Sequence, residues 1–196
     1  IEIDIINNFT NFYLRFDGKK EKFFINGASR HSPLNAALSV AAAIYCGCPL
    51  SNIKKRLKFI DLPERRLAIS NSLKGSILID DSYNSNPASL KNAVDSLEGL
   101  ERKKVCILGD MKELGSDSQK IHQEMYEYIS ERVDQIFCIG DEWSTCSPNE
   151  KKDLSIFENQ DDLYSDLISI IDKKTILLVK GSRSTRMDLL ADKLKE

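Results

Sequence analysis

No G-x-x-x-x-G-K-[ST] phosphate loop occurs in these 196 residues, so the chain by itself carries no complete apparatus for hydrolysing a nucleotide. The G-x-G-x-x-G spacing of a dinucleotide fingerprint is missing too. No Ser/His/Asp or Cys/His pattern of recognised spacing is present. Histidine is scarce, with two in the chain. His31 lies at the start of an Ala-rich stretch, and His122 lies in a charged helical stretch, where surface exposure or local packing is expected. The five cysteines are an odd number. Cys46 and Cys48 are separated by a single residue, too few for zinc-ligand spacing, while Cys106 and Cys138 sit in apolar strand patterns and read as buried thiols. No metal site is therefore predicted, and reduced thiols fit a cytoplasmic protein. No apolar run approaches a membrane span. The opening Ile1-Glu2-Ile3-Asp4-Ile5 lacks the basic segment of a secretory signal. It also lacks an initiator Met, which points to a fragment or a trimmed chain.

What is present is a balanced, globular composition. An apolar fraction of 41% can fill a core. A net charge of −2 from 28 basic and 30 acidic residues argues against a general nucleic-acid or membrane-surface binder. Residues 1–27 alternate as strands, with Phe12, Leu14 and Phe16 on one face and Asp17-Gly18 as a hairpin signal. From residue 33 to 47 the period becomes helical, with a stripe of Leu34, Leu38, Ala41, Ala42 and Tyr45, and a short helix is expected at 52–59. Asp61 to Asn71 reads as a connector with a short strand, after which strands are predicted near 76–81, 104–109, 135–139, 154–157 and 175–180. Helices are predicted near 87–99, 117–132, 161–172 and 184–195. That alternation means βαβ units and a mostly parallel sheet covered by helices on both faces, an α/β fold. The change of rhythm places a domain boundary near residue 72, dividing 1–71 from 72–196.

Three predicted strands end in charged or small residues. The first runs into Asp80-Asp81-Ser82-Tyr83-Asn84-Ser85-Asn86-Pro87, the second into Gly109-Asp110-Met111-Lys112-Glu113-Leu114-Gly115, and the third into Lys180-Gly181-Ser182-Arg183. In open α/β sheets, ligands bind outside the carboxyl ends of the strands, so the three ends point to one shared site. Plainer readings exist for each. Asn86-Pro87 also reads as a helix cap, the second stretch also as an ordinary turn, and the third as a solvated loop. Lys180 and Arg183 around a glycine suit a carboxylate or phosphate.

These three stretches, together with Arg30-His31-Ser32-Pro33-Leu34-Asn35-Ala36-Ala37, resemble the Mur ligases in order and spacing. The nearest branch is the one that adds D-Ala-D-Ala to the UDP-MurNAc-tripeptide of peptidoglycan. The resemblance covers essentially the whole chain and implies the end of the central ATPase domain followed by a C-terminal Rossmann-like domain. It implies ATP and Mg2+ as cofactors, with the phosphate loop and the Mg2+ ligands in N-terminal domains outside this chain, so that the chain alone is expected to be inactive. It implies an acyl-phosphate mechanism. Residue by residue, it implies adenine contact for Asn35, ATP phosphates for Arg66 (Arg65 as fallback), the ATP ribose for Asp81, and the adjoining cleft for Asn84 and Asn86. Lys180, Ser182 and Arg183 are implied for the incoming dipeptide, with Asp110 and Glu113 helping to form its pocket. Two departures are Ser32, where the family has Asn, and Glu64, where it has Gly. Another amide ligase of the same or the folylpolyglutamate type, and a non-catalytic binding module, remain as alternatives.

Overall fold

The computed structural model describes residues 2–6, 9–16, 18–26, 32–60, 64–147 and 154–196. It divides into two compact units, Ile1–Pro63 and Glu64–Glu196.

In the first unit, β1 (Glu2–Ile6), β2 (Phe9–Phe16) and β3 (Lys19–Asn26) form an antiparallel sheet in that order. Phe16 pairs with Lys19 across the hairpin, and Gly18 adopts the positive φ of 74° that such a tight turn requires. Asp17, the other half of the turn signal, lies outside the described residues, as do Arg30 and His31. Phe12 and Phe23 stack with ring centroids 5.3 Å apart. On this pair pack Ala37 and Val40 of α1 (Ser32–Tyr45) and Ile53 and Leu57 of α2 (Leu50–Leu57). The stripe expected to pack does not: Leu38 is 66% and Tyr45 93% exposed. The buried line is Pro33, Ala37 and Val40. Both sets satisfy an i, i+4, i+7 spacing, and an Ala-rich helix that is apolar on more than one side leaves periodicity with two solutions.

The second unit begins with β4 (Ala68–Asn71), antiparallel to β5 (Ile77–Asp81). This edge strand belongs to the second sheet although it precedes residue 72, where sequence rhythm put the boundary. The short strand expected in the connector is there, but four residues carry too little pattern to say which sheet they join. There follow α3 (Pro87–Asp95), β6 (Lys103–Gly109), α4 (Ser118–Ser130), β7 (Gln135–Ile139) and α5 (Asp141–Ser144). The chain ends with β8 (Leu154–Phe157), α6 (Gln160–Ile170), β9 (Thr175–Lys180) and α7 (Met187–Leu194). The sheet order is β4-β5-β9-β6-β7-β8, and every pair after the first is parallel.

Period-two alternation sends the strand residues to two cores. Ile79, Cys106, Leu108, Ile136, Cys138, Ile176 and Leu178 face α3, α4 and α5. Leu78, Val105, Ile107, Phe137, Leu177 and Val179 face α6 and α7. Burial on both sides explains why these strands read as unbroken apolar runs. The chain passes from β5 over to β6 and returns last to β9 between them, so the strand ends diverge there and open a crevice.

Candidate binding cleft at three strand ends

The sheet order makes the three suspect strand ends neighbours, β5, β9 and β6. Their close approach depends on two glycines. A Cβ on Gly109 would lie 2.5 Å from Thr185 Oγ1 and 2.8 Å from Met187 Cγ; one on Gly181 would lie 2.6 Å from each of the same atoms. No side chain fits at either position. Above these ends lies a cleft of about 590 Å³, lined by Tyr83, Asn84, Ser85, Asn86, Lys112, Glu113, Leu114, Ser182, Arg183 and Ser184. Of the residues singled out in the sequence, Asn84, Asn86, Glu113, Ser182 and Arg183 line it. Asp81, Asp110 and Lys180 lie beneath it. Asn35 is an exposed residue of α1 in the other unit.

The floor is a buried ion pair. Lys180, 2% exposed, donates from Nζ to Asp81 Oδ2 and to the Asn84 carbonyl at 2.9 Å. Asp81 Oδ1 accepts the Leu67 N–H at 3.1 Å. Burial raises the Asp81 carboxyl above its usual range, opposed by Lys180. Burial likewise lowers the Lys180 ammonium, opposed by Asp81. Each partner offsets part of what burial costs the other. With their polar atoms so engaged, both residues brace the cleft from below and do not project into it. Asp80 points to the opposite face and is satisfied separately, by Lys195 Nζ at 3.0 Å and Ser82 Oγ at 2.5 Å.

The β6 wall is braced in the same way. Asp110, 2% exposed, pairs with Lys112 Nζ at 2.8 Å, and its Oδ1 accepts the Trp143 N–H at 3.3 Å. Ser182 Oγ accepts the Lys112 N–H at 2.8 Å, which ties the β9 loop to the β6 loop. His122 is wholly buried, which selects local packing over surface exposure. Its Nε2 accepts the Met111 N–H at 3.1 Å, and its Nδ1 lies 2.8 Å from the Ser118 carbonyl. This network fixes the tautomer with the proton on Nδ1. The Trp143 ring meets it edge-on at 4.8 Å. A histidine four residues into a charged helix gave no sequence signal for this role, because its partner is a backbone amide. Between these braces Glu113 is held at φ 66°, a left-handed conformation that Glu rarely adopts outside constrained sites.

On the β5 wall, Asn86 caps α3 and also lines the cleft. Asn86 Oδ1 accepts the Ser89 N–H at 2.8 Å and Ser89 Oγ accepts the Asn86 N–H at 3.1 Å, a reciprocal capping box with Pro87 in the first turn. The tandem arginines separate clearly. Arg65 donates to the Asp188 carbonyl at 2.9 Å and to Asp192 Oδ2 at 2.8 Å, whereas exposed Arg66 lies over the Tyr83 ring, 4.5 Å from its centroid. Arg183 approaches the same ring at 5.7 Å. The cleft therefore offers cations and amide and hydroxyl groups at its mouth. It offers no carboxylate cluster for a hard metal. Asp80, Asp81 and Asp110 are each paired with a lysine, and no group of three metal-ligating side chains occurs among the described residues.

Comparison with known proteins gives the same architecture a family. The model for the Mur ligase, glutamate ligase domain matches residues 65–183. The UDP-N-acetylmuramoyl-tripeptide–D-alanyl-D-alanine ligase of Bacillus subtilis is 29% identical over 187 residues, 91% of this chain and 41% of that protein. The Haemophilus influenzae ligase of the same name is 32% identical over 173 residues, 85% of this chain and 37% of that protein. This chain thus spans about two fifths of the length of the curated relatives it matches. A crystal structure of MurF from Acinetobacter baumannii superposes with a TM-score of 0.82 at 30% identity, covering 98% of this chain and 43% of that one. MurF from Thermotoga maritima in complex with ADP shares the fold, with a TM-score of 0.81 at 21% identity over 98% of this chain and 44% of that one. With the parallel sheet, the strand-end cleft and these matches in agreement, the chain belongs to the Mur ligase family.

Proposed function

We propose that this chain is the nucleotide- and acceptor-binding part of a cytoplasmic ATP-dependent ligase that adds D-Ala-D-Ala to the UDP-MurNAc-tripeptide of peptidoglycan. On this reading the first unit, Ile1–Pro63, is the end of its central ATPase domain and the second, Glu64–Glu196, its C-terminal domain. The observation that carries the proposal is the cleft at the β5–β9–β6 ends, whose lining combines cations, one acid and uncharged donors. Its volume suits a small ligand. A dipeptide zwitterion needs a cation for its carboxylate and an acid for its ammonium; Arg183 and Lys112 supply the first, Glu113 the second. Asn84, Asn86 and Ser182 add neutral hydrogen-bonding groups. On this reading, which the resemblance supports, Arg66 takes the ATP phosphates and Asn35 the adenine.

ATP, when bound, supplies the phosphoryl group that activates the muramoyl-peptide carboxylate as an acyl phosphate. The residues described here orient the acceptor amine towards that carbonyl carbon. This is catalysis by positioning and charge stabilisation, which dominates phosphoryl-transfer chemistry. Asp80, Asp81 and Asp110 are engaged by lysines, and on this reading the Mg2+ ligands come from the N-terminal part of the enzyme. The phosphate loop belongs in further N-terminal domains of the same enzyme, and the chain alone is inactive on this reading. No helix among the described residues is long and apolar enough to cross a membrane.

Titration of the chain with D-Ala-D-Ala, followed by backbone 15N chemical shifts, tests the assignment. Shifts should cluster at residues 83–86, 112–114 and 182–184, and L-Ala-L-Ala should produce weaker ones. An unchanged spectrum in those three segments would sink the acceptor role of the cleft.

A further inference from the structure

Tyr83 is 41% exposed in a loop that buries Ser82 and Ser85 and exposes Asn84 and Asn86. Its ring is the shared neighbour of two arginines that come from opposite ends of the second unit. The Arg66 guanidinium is 4.5 Å from the ring centroid and that of Arg183 is 5.7 Å. Both distances fall within cation–π range. Among the described residues, neither arginine makes an ion pair, whereas Arg65 is paired with Asp192 at 2.8 Å.

The backbone around this group is fixed to match. Arg66 stands between two residues in left-handed conformation, Arg65 at φ 60° and Leu67 at φ 53°. The Tyr83 N–H donates to the Arg65 carbonyl at 3.1 Å, and the Leu67 N–H to Asp81 at 3.1 Å. The loop that carries Tyr83 and the segment that carries Arg66 are therefore sewn together on both sides of the arginine. Two cations held on one ring repel each other, and an anion placed between them removes that cost. The electron-rich ring attracts both guanidinium groups and so offsets part of that repulsion.

We propose that Tyr83 is a positioning residue whose ring assembles Arg66 and Arg183 into one anion-binding pair at the mouth of the cleft. The inference rests on the reading of that cleft as a site for anionic ligands. It goes further in making the nucleotide-side arginine and the acceptor-side arginine a single unit. A phosphate-class group engages both guanidinium groups together, so occupancy on one side is sensed on the other.

Inorganic phosphate is the probe, added to the 196-residue chain while the Arg Nε–H resonances of Arg66 and Arg183 are followed by NMR. In the wild type both should titrate with one common midpoint. Tyr83→Phe keeps the aromatic face and should titrate likewise. Tyr83→Leu keeps bulk but loses the face, and should bind about fivefold more weakly, the scale of an exposed cation–π contact, with the two midpoints separated. The partial exposure of the side chain lets both variants fold, and Phe serves as the rescue. Different midpoints in the wild type would overturn the pairing, and so would a Tyr83→Leu titration that matches wild type. If neither arginine responds to phosphate, the anion site itself fails, a result separable from loss of the D-Ala-D-Ala shifts described above.

Discussion

Removing one member of the Asp81–Lys180 pair leaves the other charged and buried, and that is the costly case for an ion pair. Lys180→Met should destabilise the second unit by about 3–5 kcal/mol, read from the urea midpoint. Asp81→Leu combined with Lys180→Met should recover part of the loss, because no lone buried charge remains, although the Leu67 N–H and the Asn84 carbonyl lose their partners. A double variant as unstable as the single one would show that the pair acts through packing and not through charge. At this scale the sequence was half legible. Strand-end location marked Asp81, Asp110 and Lys180 as belonging to one place, since position along a strand fixes which end a residue occupies. It could not say which of them face the cleft and which lie under it. That depends on the sheet order, which puts β9 between β5 and β6 and brings Lys180 beside Asp81 across a gap of 99 positions. Tyr83 was read as one letter of a motif. Its role emerges only when residues 66, 83 and 183 meet.

Elements were legible wherever one pattern had one solution. The five parallel strands of the second unit are 4–7 residues long and are bounded by turn residues, so length and β-branched content identified them. α5 was missed because four residues are too short for any helical period. α1 is the instructive case. Its apolar residues satisfy two faces, and the structure buries the one bearing Ala37 and Val40. Leu38→Ser should therefore change the stability of this chain by no more than about 0.5 kcal/mol, the usual range for an exposed site. Val40→Ala, in the packed face, should cost more, on the order of 1–2 kcal/mol from lost burial and the cavity left behind. Thermal unfolding of the two variants side by side checks this. A larger loss from Leu38→Ser than from Val40→Ala would mean that the packed face of α1 is the one read from the sequence.

Across the whole chain, the five cysteines report separately on its two compact units. Cys46 and Cys48 are exposed, in the first; Cys106, Cys138 and Cys146 are buried, in the second. Burial pushes the Cys106 thiol up to about 12 and that of Cys146, with the Asp110 charge adding, up to about 11. Cys138 is raised in the same direction by burial first. The thiolate is the reactive form, so at pH 8 these three are both shielded and protonated. Alkylation of the native chain at that pH should modify two thiols quickly and leave three untouched. In rising urea the three should become reactive together, because all belong to the core formed by the sheet and α3, α4 and α5. Mass spectrometry of each alkylated species gives the count directly. The urea concentration at which the three appear should coincide with loss of the Trp143 fluorescence signal, since Trp143 packs in that same core. A third thiol reacting in the absence of urea would show that this face of the sheet opens locally. In that case the bracing of the β6 wall through Asp110 and His122, which share that core's edge with Trp143, would not hold the cleft in a single shape.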